Sequence, residues 1–139
     1  MSKQSVKVQW TSDMAFKANA NGHEIILDAD EHVGGHNLGP RPKAMLLVSL
    51  GGCTGMDVIA ILKKMKIEVE YFNMIVDGDV TEDHPRQFTG IHITYEFRGK
   101  DLVMEKLEKA VSLSQDKYCG VSATLKKAIP VSWEIKILD

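Results

Sequence analysis

From Lys43 to about Met65 the chain carries one long segment with apolar residues on nearly every helical face. Pro42 suits the first turn of a helix, where its missing N–H costs nothing. Leu46, Leu50 and Cys53 recur at helical spacing, as do Met56, Ile59, Leu62 and Met65, while Leu47, Val58 and Ile61 fall on other faces. A helix apolar nearly all round is expected to be buried nearly all round. Gly51, Gly52 and Gly55 lie in its middle. Each costs about 1 kcal/mol against Ala in a helix interior, so the cluster predicts a close approach of another backbone, or of a ligand, around Cys53.

The flanking segments alternate in strand fashion. Val6–Trp10 and Met14–Ala20 read as strands, and Asn21–Gly22 makes a hairpin turn into a partner strand at Glu24–Leu27. Asp28–Pro42 reads as a long loop broken by Gly34, Gly35, Gly39, Pro40 and Pro42. After the long helix come a strand at Tyr71–Asp77 with a turn at Gly78–Asp79, and an amphipathic strand through Ile91, Ile93, Tyr95 and Phe97. A helix over about Leu102–Lys117, with Val103, Leu107, Ala110, Val111 and Ser114 as its buried stripe, precedes a short helix at Val121–Lys127. A strand through Val131, Trp133, Ile135 and Ile137 ends the chain. The order is that of an α+β fold, with antiparallel sheet packed on helices, and 139 residues fit a single domain spanning 1–139.

Composition narrows the function classes. Lys plus Arg total 17 and Asp plus Glu 19, a net charge of −2 that argues against a nucleic-acid binder. No uninterrupted apolar run reaches the ~18 residues of a membrane helix, and residues 1–10 lack the apolar stretch of a secretory signal. A cytoplasmic protein with no membrane association is the expectation. Two cysteines, Cys53 and Cys119, are too few for an all-cysteine zinc site, and the five histidines show no ligand spacing that would complete one. No phosphate-cradling glycine loop is present either, so neither metal nor cofactor is expected. The thiols alone leave three readings open: both inert, one reactive, or a reactive pair.

Three motifs together resemble the OsmC/Ohr family of osmotically inducible and organic hydroperoxide resistance proteins. They are Gly39-Pro40-Arg41-Pro42, the helix bearing Gly51-Gly52-Cys53-Thr54-Gly55-Met56-Asp57-Val58, and Leu113-Ser114 with Tyr118-Cys119. With His84-Pro85 in the mid-chain loop, the similarity is to the OsmC-like branch, and it runs from about Met14 to the C-terminus. The resemblance implies an intertwined homodimer with central helices inside and two sites at the subunit interface. It implies a peroxidase in which Cys53 attacks an organic hydroperoxide and Cys119 resolves the sulfenic acid, with a dithiol reductant closing the cycle.

The family's activating glutamate has no counterpart. Ala44 stands at its position, and the three arginines, Arg41, Arg86 and Arg98, all lie outside the N-terminal strands. Candidates for thiolate activation or the site rim are therefore Arg41 at the start of the Cys53 helix, His36 or Lys17, Asp57 four residues after Cys53, and His84. Met45, Leu46 and Met56 would suit an apolar substrate tail. The alternative is a non-catalytic member of the fold that binds a small apolar ligand or senses oxidation through its thiols.

Overall fold

A computed structural model describes residues 1–139, which fall into two compact units, Met1–Leu46 and Leu47–Asp139. In the first, β1 (Lys7–Ser12), β2 (Ala15–Ala20) and β3 (His23–Leu27) form an antiparallel sheet in sequence order. The tight turns need left-handed backbone. Asn21 and Gly22, at φ of 54° and 80°, join β2 to β3, and Asp13, at 49°, lies between β1 and β2. β1 is exposed along its whole length, with Val8 and Trp10 open to solvent, rather than half-buried as its alternation predicts.

The loop after β3 is organised by one buried carboxylate. Asp28 accepts backbone N–H bonds from Ala29 (2.7 Å), His36 (3.0 Å) and Leu38 (3.1 Å). These bonds hold the Asp28 carboxyl below the usual carboxylate range, the Ala29 N–H contributing most.

Helix α1 (Pro42–Lys64) begins and ends where the sequence places it. Its length and apolar composition would also suit a membrane-crossing segment, a property that core helices share. Its burial is one-sided. Leu50, Gly51, Thr54, Gly55, Val58 and Leu62 are buried, while Val48 is 60% and Met56 77% exposed. The all-round apolar pattern therefore does not translate into all-round burial in the single chain.

In the second unit, β4 (Tyr71–Val80) pairs antiparallel with β5 (Phe88–Arg98), and β6 (Val131–Ile137) adds to β5 in parallel. The sheet is thus mixed rather than wholly antiparallel, because the chain crosses over through two helices before β6. Gly78–Asp79, expected as a turn, instead continue β4. A Cβ at Gly78 would lie 2.6 Å from the Phe88 ring, so glycine lets that ring cross the strand. Ile91, Ile93, Tyr95 and Phe97 form the buried face of β5. They pack in one core with Leu50, Val58 and Leu62 of α1 and with Leu107, Ala110 and Val111 of α2 (Met104–Leu113). The helix-breaking glycines of α1 have a similar cause. A Cβ at Gly51 would meet Val76 at 3.2 Å, and one at Gly55 would meet the Met74 methyl at 2.7 Å. The close neighbours are β4 side chains, and Gly52 faces open space.

Candidate functional site

After Leu113 the expected continuation of α2 to Lys117 gives way to a π-helical turn over Ser114–Tyr118, closed by the Cys119 N–H donating to the Ser114 carbonyl at 2.7 Å. Such turns are rare and concentrate at functional sites. The wider turn buries Ser114 and Gln115 and delivers Cys119 to the N-cap of α3 (Gly120–Lys126), where its sulfur accepts the Ser122 N–H at 3.3 Å.

The turn brings Cys119 to α1. The sulfurs of Cys53 and Cys119 and a carboxylate oxygen of Asp57 all lie within 4.8 Å of one another. Cys53 and Asp57 are half-buried and Cys119 is buried. Burial is the largest influence on Cys119 and pushes its thiol up to about 11. The Ser122 N–H pulls the other way, and the neighbouring Cys53 and Asp57 add to the rise. A thiol held that high is almost entirely protonated at neutral pH, so it is poorly suited to be the first attacker.

A chain of buried polar side chains frames the thiols. Ser114 donates to Asp57 Oδ2 at 2.9 Å and shares a 2.7 Å hydrogen bond with Thr54, which shares another of 2.7 Å with the Tyr95 hydroxyl. Gln115 Nε2 donates to Tyr95 at 2.9 Å and to Thr54 at 3.3 Å, and its Oε1 accepts from the Ser122 hydroxyl at 2.7 Å. Lys126 donates to the Gln115 carbonyl at 2.7 Å. No buried side-chain nitrogen or oxygen lacks a partner. Burial pushes the Tyr95 phenol up, so it stays a neutral hydrogen-bonding member of the chain. A fully satisfied network of this kind fixes its members in one arrangement.

Of the sequence candidates, Cys53, Cys119 and Asp57 come together. Arg41 is engaged within the first unit, where its guanidinium pairs with Asp30 and donates to Asn37 Oδ1 (2.7 Å) and to the Gly39 carbonyl (2.9 Å). That guanidinium holds the Asp30 carboxyl below its usual range. The His36 ring pairs with Asp13 at 2.9 Å, and Lys17 lies 3.7 Å from Glu24. His84 is exposed on the β4–β5 loop, before a cis Pro85. Sequence reasoning missed Thr54, Tyr95, Gln115 and Ser122 as site residues. The available signal was polar residues at positions of apolar periodicity, of which Ser114 in the α2 stripe is one.

Residues 35–134 match the OsmC-like protein family. The chain belongs to that family. It is 31% identical over 133 residues to protein YhfA of Escherichia coli strain K12, covering 95% of this chain and 96% of YhfA. The crystal structure of a hypothetical protein from Aquifex aeolicus VF5 is 35% identical and superposes with a TM-score of 0.83 over 100% of both chains. The organic hydroperoxide resistance protein OhrB of Bacillus subtilis shares the fold, with a TM-score of 0.68 at 16% identity over 96% of this chain and 98% of OhrB.

Proposed function

We propose that this OsmC-like protein is a thiol-dependent peroxidase for organic hydroperoxides, serving oxidative-stress defence in the cytoplasm. The observation that carries the reading is the meeting of two cysteines 66 residues apart in sequence, with their sulfurs within 4.8 Å, at a π-helical turn. Cys53, half-buried on α1, is the peroxidatic residue. Its thiolate attacks the distal oxygen, the O–O bond breaks, and the alkoxide leaves as the alcohol after taking a proton, giving a Cys53 sulfenic acid. Cys119 then attacks the Cys53 sulfur, losing its proton as the sulfenic hydroxyl departs as water, and a disulfide remains. A dithiol donor returns both thiols by exchange. A cleft of about 360 Å³ lined by Leu47, Val48, Gly51, Gly52, Met74 and Val76 runs along another face of α1, the helix that carries Cys53.

The whole chain serves as one OsmC-like domain in a homodimer, with its sites at the subunit interface. Support comes from apolar side chains open to solvent on α1 (Val48, Met56, Ile59) and on β1 and β2 (Val8, Trp10, Phe16). With Ala44 and the engaged Arg41, no glutamate–arginine pair of the family kind is assembled from this chain's matching positions. Steady-state consumption of cumene hydroperoxide in the presence of a dithiol tests the reading. Wild type is expected to turn over, Cys53→Ser to be inert, and Cys119→Ser to stop at the sulfenic acid. Wild-type protein that oxidises once and does not recycle would instead favour the sensor alternative, which the missing glutamate alone supports.

A further inference from the structure

We propose that Cys53, Asp57 and Cys119 form a binding site for one thiophilic divalent metal ion of the zinc type. The donor set selects the class. Two sulfurs and a carboxylate oxygen suit zinc and cobalt, whereas magnesium and calcium demand oxygen alone. The geometry is close to what such an ion requires. Donors around tetrahedral zinc are separated by about 3.5–3.8 Å, given Zn–S and Zn–O bonds of about 2.3 and 2.0–2.2 Å. The three donors here already lie within 4.8 Å of one another, so side-chain adjustments of the order of 1 Å complete the set. Cys53 and Asp57 share a face of α1 at an i, i+4 spacing, the arrangement by which one helix offers two ligands to one ion.

The surroundings also fit. The Ser114 hydroxyl donates to Asp57 Oδ2 at 2.9 Å and so fixes the orientation of the carboxylate. The Ser122 N–H donates to the Cys119 sulfur at 3.3 Å, stabilising a thiolate there. An opening of about 140 Å³, lined by Asp57, Ala60, Ile61, Lys64 and Tyr118, leaves the Asp57 side of the site accessible. Binding balances as one divalent ion displacing two thiol protons, with no change of oxidation state. No histidine joins the two cysteines; Asp57 supplies the third donor in its place. The site does not depend on peroxide chemistry, and its occupant would hold both thiols reduced and out of reach of oxidants.

The test uses the full-length reduced chain stripped of metal, titrated with Zn²⁺ against a chromophoric chelator and separately with Co²⁺. Expected are one ion per chain, cobalt–thiolate charge-transfer absorption, and no binding to the disulfide form. Asp57→Asn, which preserves shape, should weaken Zn²⁺ binding at least about tenfold. Cys53→Ser should cut the charge-transfer intensity to about half or less, and Cys53→Ser with Cys119→Ser should abolish it. Sub-stoichiometric binding, binding that survives disulfide formation, or Asp57→Asn with unchanged affinity would overturn the proposal. None of these readouts requires turnover of a hydroperoxide, so the result stands apart from the peroxidase assay.

Discussion

Gln115→Leu breaks the polar chain around the thiols at the point where it joins α3 to the rest. Leucine fills similar space but loses the bonds to Tyr95, Thr54 and Ser122. The losses are unequal. Tyr95 and Thr54 keep their mutual 2.7 Å bond, whereas the Ser122 hydroxyl, fully buried, loses its partner. An orphaned buried polar group costs about 1–3 kcal/mol, so the variant should lose roughly 2 kcal/mol. In a chain of this length each kcal/mol lowers the melting temperature by about 3–5 °C. Ser122→Ala alone orphans Gln115 Oε1 and should cost a comparable amount. The double variant removes both partners, so it should cost about 1–2 kcal/mol less than the two singles added. The assay is denaturant unfolding in reductant with m unchanged, at one protein concentration because oligomer formation shifts apparent stability. Additivity within about 0.5 kcal/mol would refute the claim that this bond is a coupled part of the network.

Gly78→Ala forces a Cβ to within 2.6 Å of the Phe88 ring and should destabilise by about 1–3 kcal/mol in thermal unfolding. Gly55→Ala meets only the flexible end of Met74 and gains helix propensity of about 1 kcal/mol, so it should stay within about 1 kcal/mol of wild type. Asp28 has a depressed folded pKa, so its contribution is fully present above the unfolded value of 3.8 and is lost as pH falls through the folded value. Asp28→Asn should therefore be less stable than wild type at neutral pH, with the gap closing as pH falls below about 4, read by thermal melts across pH. Val48→Glu with Met56→Glu places charges on the open face of α1, and light scattering should show wild type at twice 15.5 kDa and the variant at 15.5 kDa.

The order of elements was legible because periodicity changes sharply at each boundary. The bounds of α1 followed from Pro42 and from the apolar pattern that fades after Met65. Three features were not legible. β6 runs parallel to β5 because of a helical crossover, which no local pattern encodes. Gly78 looks like a turn residue yet sits mid-strand, since its role is to admit the Phe88 ring from an adjacent strand. The π turn at Ser114–Tyr118 places Cys119, and it reads as ordinary helix in sequence. At the site, the thiols and Asp57 were visible as residue types, and family likeness paired the thiols. The partners that hold them, Thr54, Tyr95, Gln115 and Ser122, come from three separate helices and a strand. Arg41 and His36 were plausible activators by residue type, but their engagement with Asp30 and Asp13 depends on loop geometry alone.

The Cys53–Cys119 cycle is read directly by mass spectrometry of the reduced protein after one equivalent of cumene hydroperoxide, then reductant, then a second equivalent. A peroxidatic Cys53 resolved by Cys119 gives a loss of two hydrogens and a Cys53–Cys119 peptide. Both should vanish on reduction and return on the second addition, with peroxide consumed each time. Thiols that remain reduced through the first equivalent, or a Cys53 that stops at higher oxides without joining Cys119, would contradict it.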